Sequence, residues 1–308
     1  MIKIFTKTIL AIKIPIILFI IFWAIGIILN IVLNNSFYIF NFGFIGTSLG
    51  LGIGTYTLLP RKNKHLGRKL AQFLVGAYMF IFLGLISFEN MQIEGFFLYI
   101  LSGIFAGSTI HYLVAKIAGP LIFNRGWCGW ACWTAAILDL LPFQKNKSGR
   151  LPNAGFFRIL HFALSLLLIL VLWFLFDYRI EEGSRIEVYW LLAGNALYYA
   201  SAILLAYYLK DNRAFCKYLC PIPVIQKIPA KFSLLKIEAQ FEDCTNCSAC
   251  ARNCPMDIDI PQYIQDRQRV LSSECILCFQ CVDACPQSIL DTTFKLDFSL
   301  KEHLILKK

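Results

Sequence analysis

The fold class this sequence predicts is a polytopic α-helical membrane protein of about six transmembrane helices, followed by a small cysteine-bound α+β domain. Three features point there. Of 308 residues, 58% are apolar and only 16% are charged, a balance foreign to an ordinary water-soluble domain. Before residue 212 the apolar residues gather into stretches long enough to cross about 30 Å of hydrocarbon, which takes about 20 residues each. After residue 240 the character changes, and eight of the twelve cysteines fall between residues 244 and 285.

The expected spans cover approximately 9–33, 37–59, 70–88, 95–118, 156–177 and 187–209. The first has too long an apolar run for a secretory signal, and no small-residue cleavage site follows it, so it is expected to stay as a span. Residues 1–60 make an N-terminal hairpin, whose second arm carries Gly46, Gly50 and Gly54 at four-residue intervals. Such a small-residue face lets helices approach closely. Residues 61–240 make the transmembrane core. It holds a second hairpin over 61–123, an inner segment over 124–155 whose apolar stretch Thr134 to Leu141 stops at Pro142, a third hairpin over 156–209 and a Pro-rich connector. The cysteine-rich domain occupies 241–290, and 291–308 is a short mixed tail. No repeat is evident beyond the doubled cysteine run, and there is no dinucleotide or P-loop fingerprint.

Orientation follows from the Lys and Arg of the short loops. Arg61, Lys62, Lys64, Arg68 and Lys69 crowd the second connection, and Arg125, Lys145, Lys147 and Arg150 the fourth, whereas 30–36 and 89–94 contain neither residue type. The 178–186 loop balances Arg179 and Arg185 with Glu181 and Glu182 and fits the outer side. Lys3, Lys7, Lys210, Arg213, Lys217 and Lys227 then fall inside, so both termini and all cysteines are expected on the cytoplasmic side of the inner membrane. The net charge of +10 is explained by inner loops facing anionic lipid. Basic residues dispersed along membrane flanks do not form a nucleic-acid surface, and the bilayer itself is the expected partner.

The runs Cys244-x2-Cys247-x2-Cys250-x3-Cys254-Pro255 and Cys275-x2-Cys278-x2-Cys281-x3-Cys285-Pro286 are complete copies of the bacterial-type 2[4Fe–4S] ferredoxin pattern. Three thiolates on a tight loop hold three irons of one cubane, and the fourth reaches the neighbouring cluster. Cys244, Cys247, Cys250 and Cys285 are therefore expected at one [4Fe–4S] cluster, and Cys275, Cys278, Cys281 and Cys254 at the other. Zinc or disulfides are the competing reading, and a cytoplasmic position weighs against disulfides. Two adjacent clusters pass single electrons. Between the runs, Pro261 suits the first turn of a helix, in a loop that either sets cluster spacing and exposure or recognises a soluble electron partner.

The remaining cysteines form two pairs, Cys128 with Cys132 and Cys216 with Cys220, each just past a span that ends on the inner side. On a helix, i and i+4 place both sulfurs on one face, and two such pairs can converge on a third [4Fe–4S] cluster. Buried free thiols and a reversible dithiol are the alternatives.

This order of motifs, an apolar multi-span half with C-x3-C after one span, C-x3-C-P after a later one and a two-cluster ferredoxin at the C-terminal end, resembles the NapH-type polyferredoxin membrane proteins and the membrane half of NosR. The resemblance covers roughly residues 60–290. It implies the membrane component of a quinol dehydrogenase, an electron-transfer subunit that links the quinone pool to a partner redox enzyme, with quinol oxidation feeding a respiratory reductase and other subunits completing the complex. Electron entry from a cytoplasmic donor to quinone would use the same residues. Copper-site assembly relatives share the cysteine order and imply a different class, a redox accessory or maturation factor; a C-terminal β-domain would mark that class, and the chain has no room for one. The family's first motif reads C-G-x-x-C-P. This sequence keeps Cys128, Gly129, Cys132 and Asp139 but has Trp133 in place of Pro, and its six spans exceed the usual four, which suggests a subgroup with its own partner.

Quinol chemistry needs a group at the membrane edge that takes a proton. His111, beside Tyr112 late in the fourth span, and His161, early in the fifth, are the expected candidates. A histidine satisfied by a helix carbonyl is the alternative for each, and a non-covalent haem ligand a third possibility.

Overall fold

The computed structural model describes residues 2–143, 149–181, 183–297 and 301–307, with side chains from residue 13 onward. Lys145, Lys147 and Glu182, which bear on orientation, lie outside the described residues, as do the side chains of Lys3 and Lys7. The chain divides into two compact units, Met1–Tyr78 with Trp130–Ala136, and Met79–Gly129 with Ile137–Lys308.

In the first unit, α1 (Ile2–Leu33) and α2 (Phe37–Leu58) form the expected hairpin, and α3 (His65–Ala77) follows after a one-turn helix at Arg61–Asn63. Small residues set the spacing of these helices. A Cβ on Gly46 would stand 2.4 Å from the Phe22 Cβ, whereas Gly50 and Gly54 face Pro15 more loosely, at 3.4 and 3.8 Å. An equally close approach involves α3, where a Cβ on Gly52 would meet the Ala71 Cβ at 2.4 Å. Asn41 accepts a 2.7 Å hydrogen bond from the Tyr78 hydroxyl, satisfying a buried amide. The returning segment places the Trp130 ring 5.5 Å from that of Tyr56, in an edge contact. Tyr56 stands in the last turn of α2, with Lys64 Nζ 4.8 Å from its ring centre.

The second unit corrects the fourth span. The expected continuous stretch 95–118 is two helices, Ile93–Ser102 and Gly107–Phe123, bent by 114°. Gly103 ends the first in the left-handed region, at φ 68°. Ser108 N–H then donates to Glu89 Oε2 at 2.6 Å, so a carboxylate serves the open N-terminus of the second helix. The helices Phe156–Phe174 and Ile186–Leu209 follow as expected. Among the described residues five helices are long and apolar enough to cross a membrane, or six if the bent pair counts as one.

The C-terminal part is small and mixed in structure. Strand β1 (Leu235–Ala239) pairs antiparallel with β2 (Leu290–Phe294), Leu235 opposite Phe294 and Ala239 opposite Leu290. Both strands reach beyond the 241–290 limits read from the cysteines. Pro261 lies in the first turn of the helix Ile260–Gln265, whose N-cap Asp259 accepts from Gln262 N–H. The tail straps this domain: Leu304 bridges to Ile258 and Leu306 to Arg150, and Glu302 accepts from Ser272 Oγ at 2.6 Å and Ser273 N–H at 2.8 Å.

Candidate iron–sulfur sites

Each four-cysteine run builds the same loop. The third and fifth residues of each are left-handed: Asn246 and Ser248 in one, Leu277 and Phe279 in the other, with φ between 48° and 60°. That conformation is costly for Leu and Phe, and here it accompanies a loop whose three cysteines line one cavity. A short helix follows each loop, at Ala249–Arg252 and at Gln280–Ala284, and carries the chain to the fourth cysteine. Cys244, Cys247, Cys250 and Cys285 line one cavity of about 20 Å³. Cys254, Cys275, Cys278 and Cys281 line another of about 20 Å³. The crossing of Cys254 and Cys285 to the opposite cavity and the four-thiol donor sets suit an iron–sulfur cubane. Among the described residues no three His, Cys, Asp or Glu side chains are gathered as the ligands of one metal ion, so the ligand sets rest on these linings and the motif order.

The two cavities differ in surroundings. Cys247 is exposed, and its thiol is held below the usual range by the Ala249 backbone. Burial pushes Cys250 up to about 11 and Cys275 up to about 12. Metal ligation requires thiolates, so loading these sites releases protons.

In the two C-x3-C motifs the expected single helical face is absent. Cys128 sits in the one-turn helix Gly126–Trp130, and Cys132 follows in the break before Trp133–Leu138. Cys216 sits in Ala214–Tyr218, and Cys220 lies beyond its end, because Pro221 disfavours helical backbone at the residue before it. The first motif packs against the second ferredoxin loop. A Cβ on Gly129 would stand 2.1 Å from the Ile276 carbonyl oxygen, so only glycine permits that approach. Arg125 N–H donates to the Cys275 carbonyl at 3.2 Å, and Cys128 belongs to the same buried core as Ile276, Leu277, Cys278 and Cys281. Cys216 and Cys220 pack in a separate core with Leu138, Ala202 and Phe215. Cys132 stands in the first unit, between Trp130 and Trp133.

Arg125, Arg150, Arg213 and Lys217, read from the sequence as facing anionic lipid, are buried instead. Glu274, next to Cys275, meets Arg125 at 2.6 Å, Arg158 at 2.8 Å, Lys227 at 3.0 Å and Arg150 at 3.3 Å. Burial alone would raise its carboxyl, but Arg125, Arg150 and Arg158 hold it well below the usual carboxylate range. Arg213 pairs with Asp139 at 2.6 Å. Lys217, inside the second motif, sits between Asp211 at 2.6 Å and Asp257 at 2.5 Å. Five buried cations, with the part-exposed Lys227 beside them, thus face four carboxylates. Arg125 Nε, Arg150 Nη1 and Arg213 Nε find no hydrogen-bond acceptor among the described residues, and the Arg125 guanidinium feels Cys128, Cys216 and Cys220 together. A surplus of buried positive charge beside three thiols fits an anionic cluster there.

His111 is buried, and neither ring nitrogen finds a hydrogen-bond partner among the described residues. Its ring lies edge-on to Trp127 at 4.8 Å, and Lys116 Nζ stands 5.3 Å from the same indole. His161 instead pairs Nδ1 with the Leu219 carbonyl at 2.9 Å and meets Tyr198 edge-on at 5.4 Å. Sequence reasoning passed over Glu94. Its Oε1 accepts from Ser165 Oγ at 2.5 Å, while Oε2 and the nearby Tyr198 hydroxyl are buried with no hydrogen-bond partner among the described residues. Tyr198 feels Glu94, Cys220 and Tyr112. The available signal was a lone carboxylate opening an apolar stretch.

Comparison with known proteins agrees with this anatomy. The family model for a 4Fe-4S dicluster domain matches residues 236–286. A second, for a 4Fe-4S binding domain, matches twice, over 105–150 and 194–239; each match holds one C-x3-C motif, so the membrane part carries an internal repeat that the sequence alone had not disclosed. YccM of Escherichia coli, named as an electron transport protein, is 28% identical over 64% of this chain and 57% of its own length. The ferredoxin-type protein NapH of Haemophilus influenzae is 25% identical over 63% of this chain and 69% of its own. The regulatory protein NosR of Pseudomonas aeruginosa is 28% identical over 55% of this chain but only 26% of its own. No solved structure matches. A dicluster ferredoxin domain, a doubled 4Fe-4S segment among apolar helices, and these relatives together make the chain similar to the NapH/NosR-type polyferredoxin membrane proteins.

Proposed function

We propose that this iron–sulfur electron-transfer protein draws electrons from quinol in its membrane part and passes them through the ferredoxin domain to a partner redox enzyme of a respiratory chain. Cys244, Cys247, Cys250 and Cys285 hold one cluster, Cys254, Cys275, Cys278 and Cys281 the second, and Cys128, Cys132, Cys216 and Cys220 a third. When bound, such clusters take up and release single electrons. The observation that carries the reading is the shared core of Cys128 with Ile276, Cys278 and Cys281, made possible by Gly129: the membrane-part motif adjoins the second ferredoxin loop, while the first loop turns Cys247 to solvent. Electrons would enter beside Cys128, cross to the second loop and leave at the first.

Protons are handled by the chain's own groups. Glu94, fixed through one oxygen by Ser165, has its other oxygen to receive a proton, and His111 offers a buried imidazole beside Trp127. His161 is held by the Leu219 carbonyl and orients Tyr198. The Lys and Arg asymmetry of the loops supports a cytoplasmic position for the termini and cysteines.

The test is quinol-driven reduction of the purified, iron-loaded protein. Glu94→Gln and His111→Phe should each slow it by at least about tenfold at unchanged iron content, since a general base contributes about 10²–10⁴-fold. Unchanged rates in both variants would remove these groups and favour electron entry from a soluble donor.

A further inference from the structure

The two ferredoxin cavities are lined without a single charged side chain apart from their cysteines. The C-x3-C region is built differently. Arg213 Nη1 reaches the Cys128 carbonyl of the first motif at 3.3 Å and lies 4.0 Å from Cys216 Sγ of the second. Its Nη2 donates to Asp139 Oδ2 at 2.6 Å, and the guanidinium is buried, its side chain 2% exposed. One cation therefore touches both motifs, with one carboxylate behind it.

We propose that Arg213 and Asp139 form an opposed pair of positioning residues that sets the reduction potential of the cluster carried by the C-x3-C motifs, Arg213 raising it and Asp139 restraining it. The inference rests on reading those motifs as a cluster site. Reduction adds one electron and changes no bond, so the cluster becomes more negative. A guanidinium at contact distance in a water-poor setting favours that state, and a donor directed at a ligand sulfur acts in the same sense. Asp139 screens part of the charge.

The experiment is an anaerobic redox titration of the full-length protein followed by electron paramagnetic resonance, with iron measured on the same samples. Absence of a third signal in the wild type, one lost in the Cys216→Ser variant, would show that the cluster reading itself had failed. Given that signal, Arg213→Gln should lower the potential of that centre alone, Arg213→Lys should lower it less, and Asp139→Asn should raise it, all at unchanged iron. Shifts of the same sign in Arg213→Gln and Asp139→Asn, no shift in either, or loss of iron in Asp139→Asn and both Arg213 variants would overturn the proposal and leave the pair a structural clamp.

Discussion

The two ferredoxin loops share one spacing, one pair of left-handed positions and one type of following helix, yet they meet different neighbours. The loop beginning at Cys244 is rimmed by exposed Thr245, Asn246 and Cys247. The loop beginning at Cys275 is pressed between Gly129 and the Glu274 cluster of cations. Local sequence sets the cradle; what packs on it decides whether it faces solvent or the rest of the protein.

Breaking that asymmetry should cost most at Glu274. Glu274→Gln leaves Arg125, Arg150 and Arg158 buried without their carboxylate, which costs about 3–5 kcal/mol, read as a lowered melting temperature. Glu242→Gln, an exposed change beside the other loop, should stay within about 0.5 kcal/mol. The sign with pH follows. A carboxyl held below its unfolded value of about 4.3 contributes its stability above that value and loses it as pH falls toward the depressed one. Wild-type stability should therefore drop on acidification below about pH 4, and the Glu274→Gln profile should be flatter there.

A smaller effect is expected at the glycine contact. Gly129→Ala must move the Ile276 carbonyl, at about 1–3 kcal/mol, and should alter the magnetic spectrum of the second loop's centre while sparing the first. Smallest of all, Ser248→Gly removes a side chain from a left-handed position at φ 56° and should be neutral or stabilising by up to about 1 kcal/mol. Phe279→Gly, at the matching position in the packed loop, should destabilise instead, because Phe279 packs on the shared core.

The cysteine spacings and the long apolar runs were legible because both are local: a loop that holds a cubane and a helix that crosses lipid are each written within about 20 residues. The break at Gly103 was not legible, since an apolar window averages over one glycine and says nothing of Glu89 serving the next helix. Arg125, Arg150, Arg213 and Lys217 were visible as charges but misread as lipid-facing. Their partners lie far along the chain, Glu274 being 149 residues from Arg125, and no local pattern announces such a pair. Glu94 was hidden for the same reason, its partner Ser165 standing 71 residues away.

In the proposed electron path the membrane-part cysteines hold a cluster of their own next to the second ferredoxin loop. Anaerobic iron analysis of the purified protein tests it most directly: about twelve iron atoms per chain are expected, from three sets of four cysteines, falling to about eight in a Cys128→Ser, Cys216→Ser double variant. About eight in both would contradict it and reduce the C-x3-C pairs to thiols.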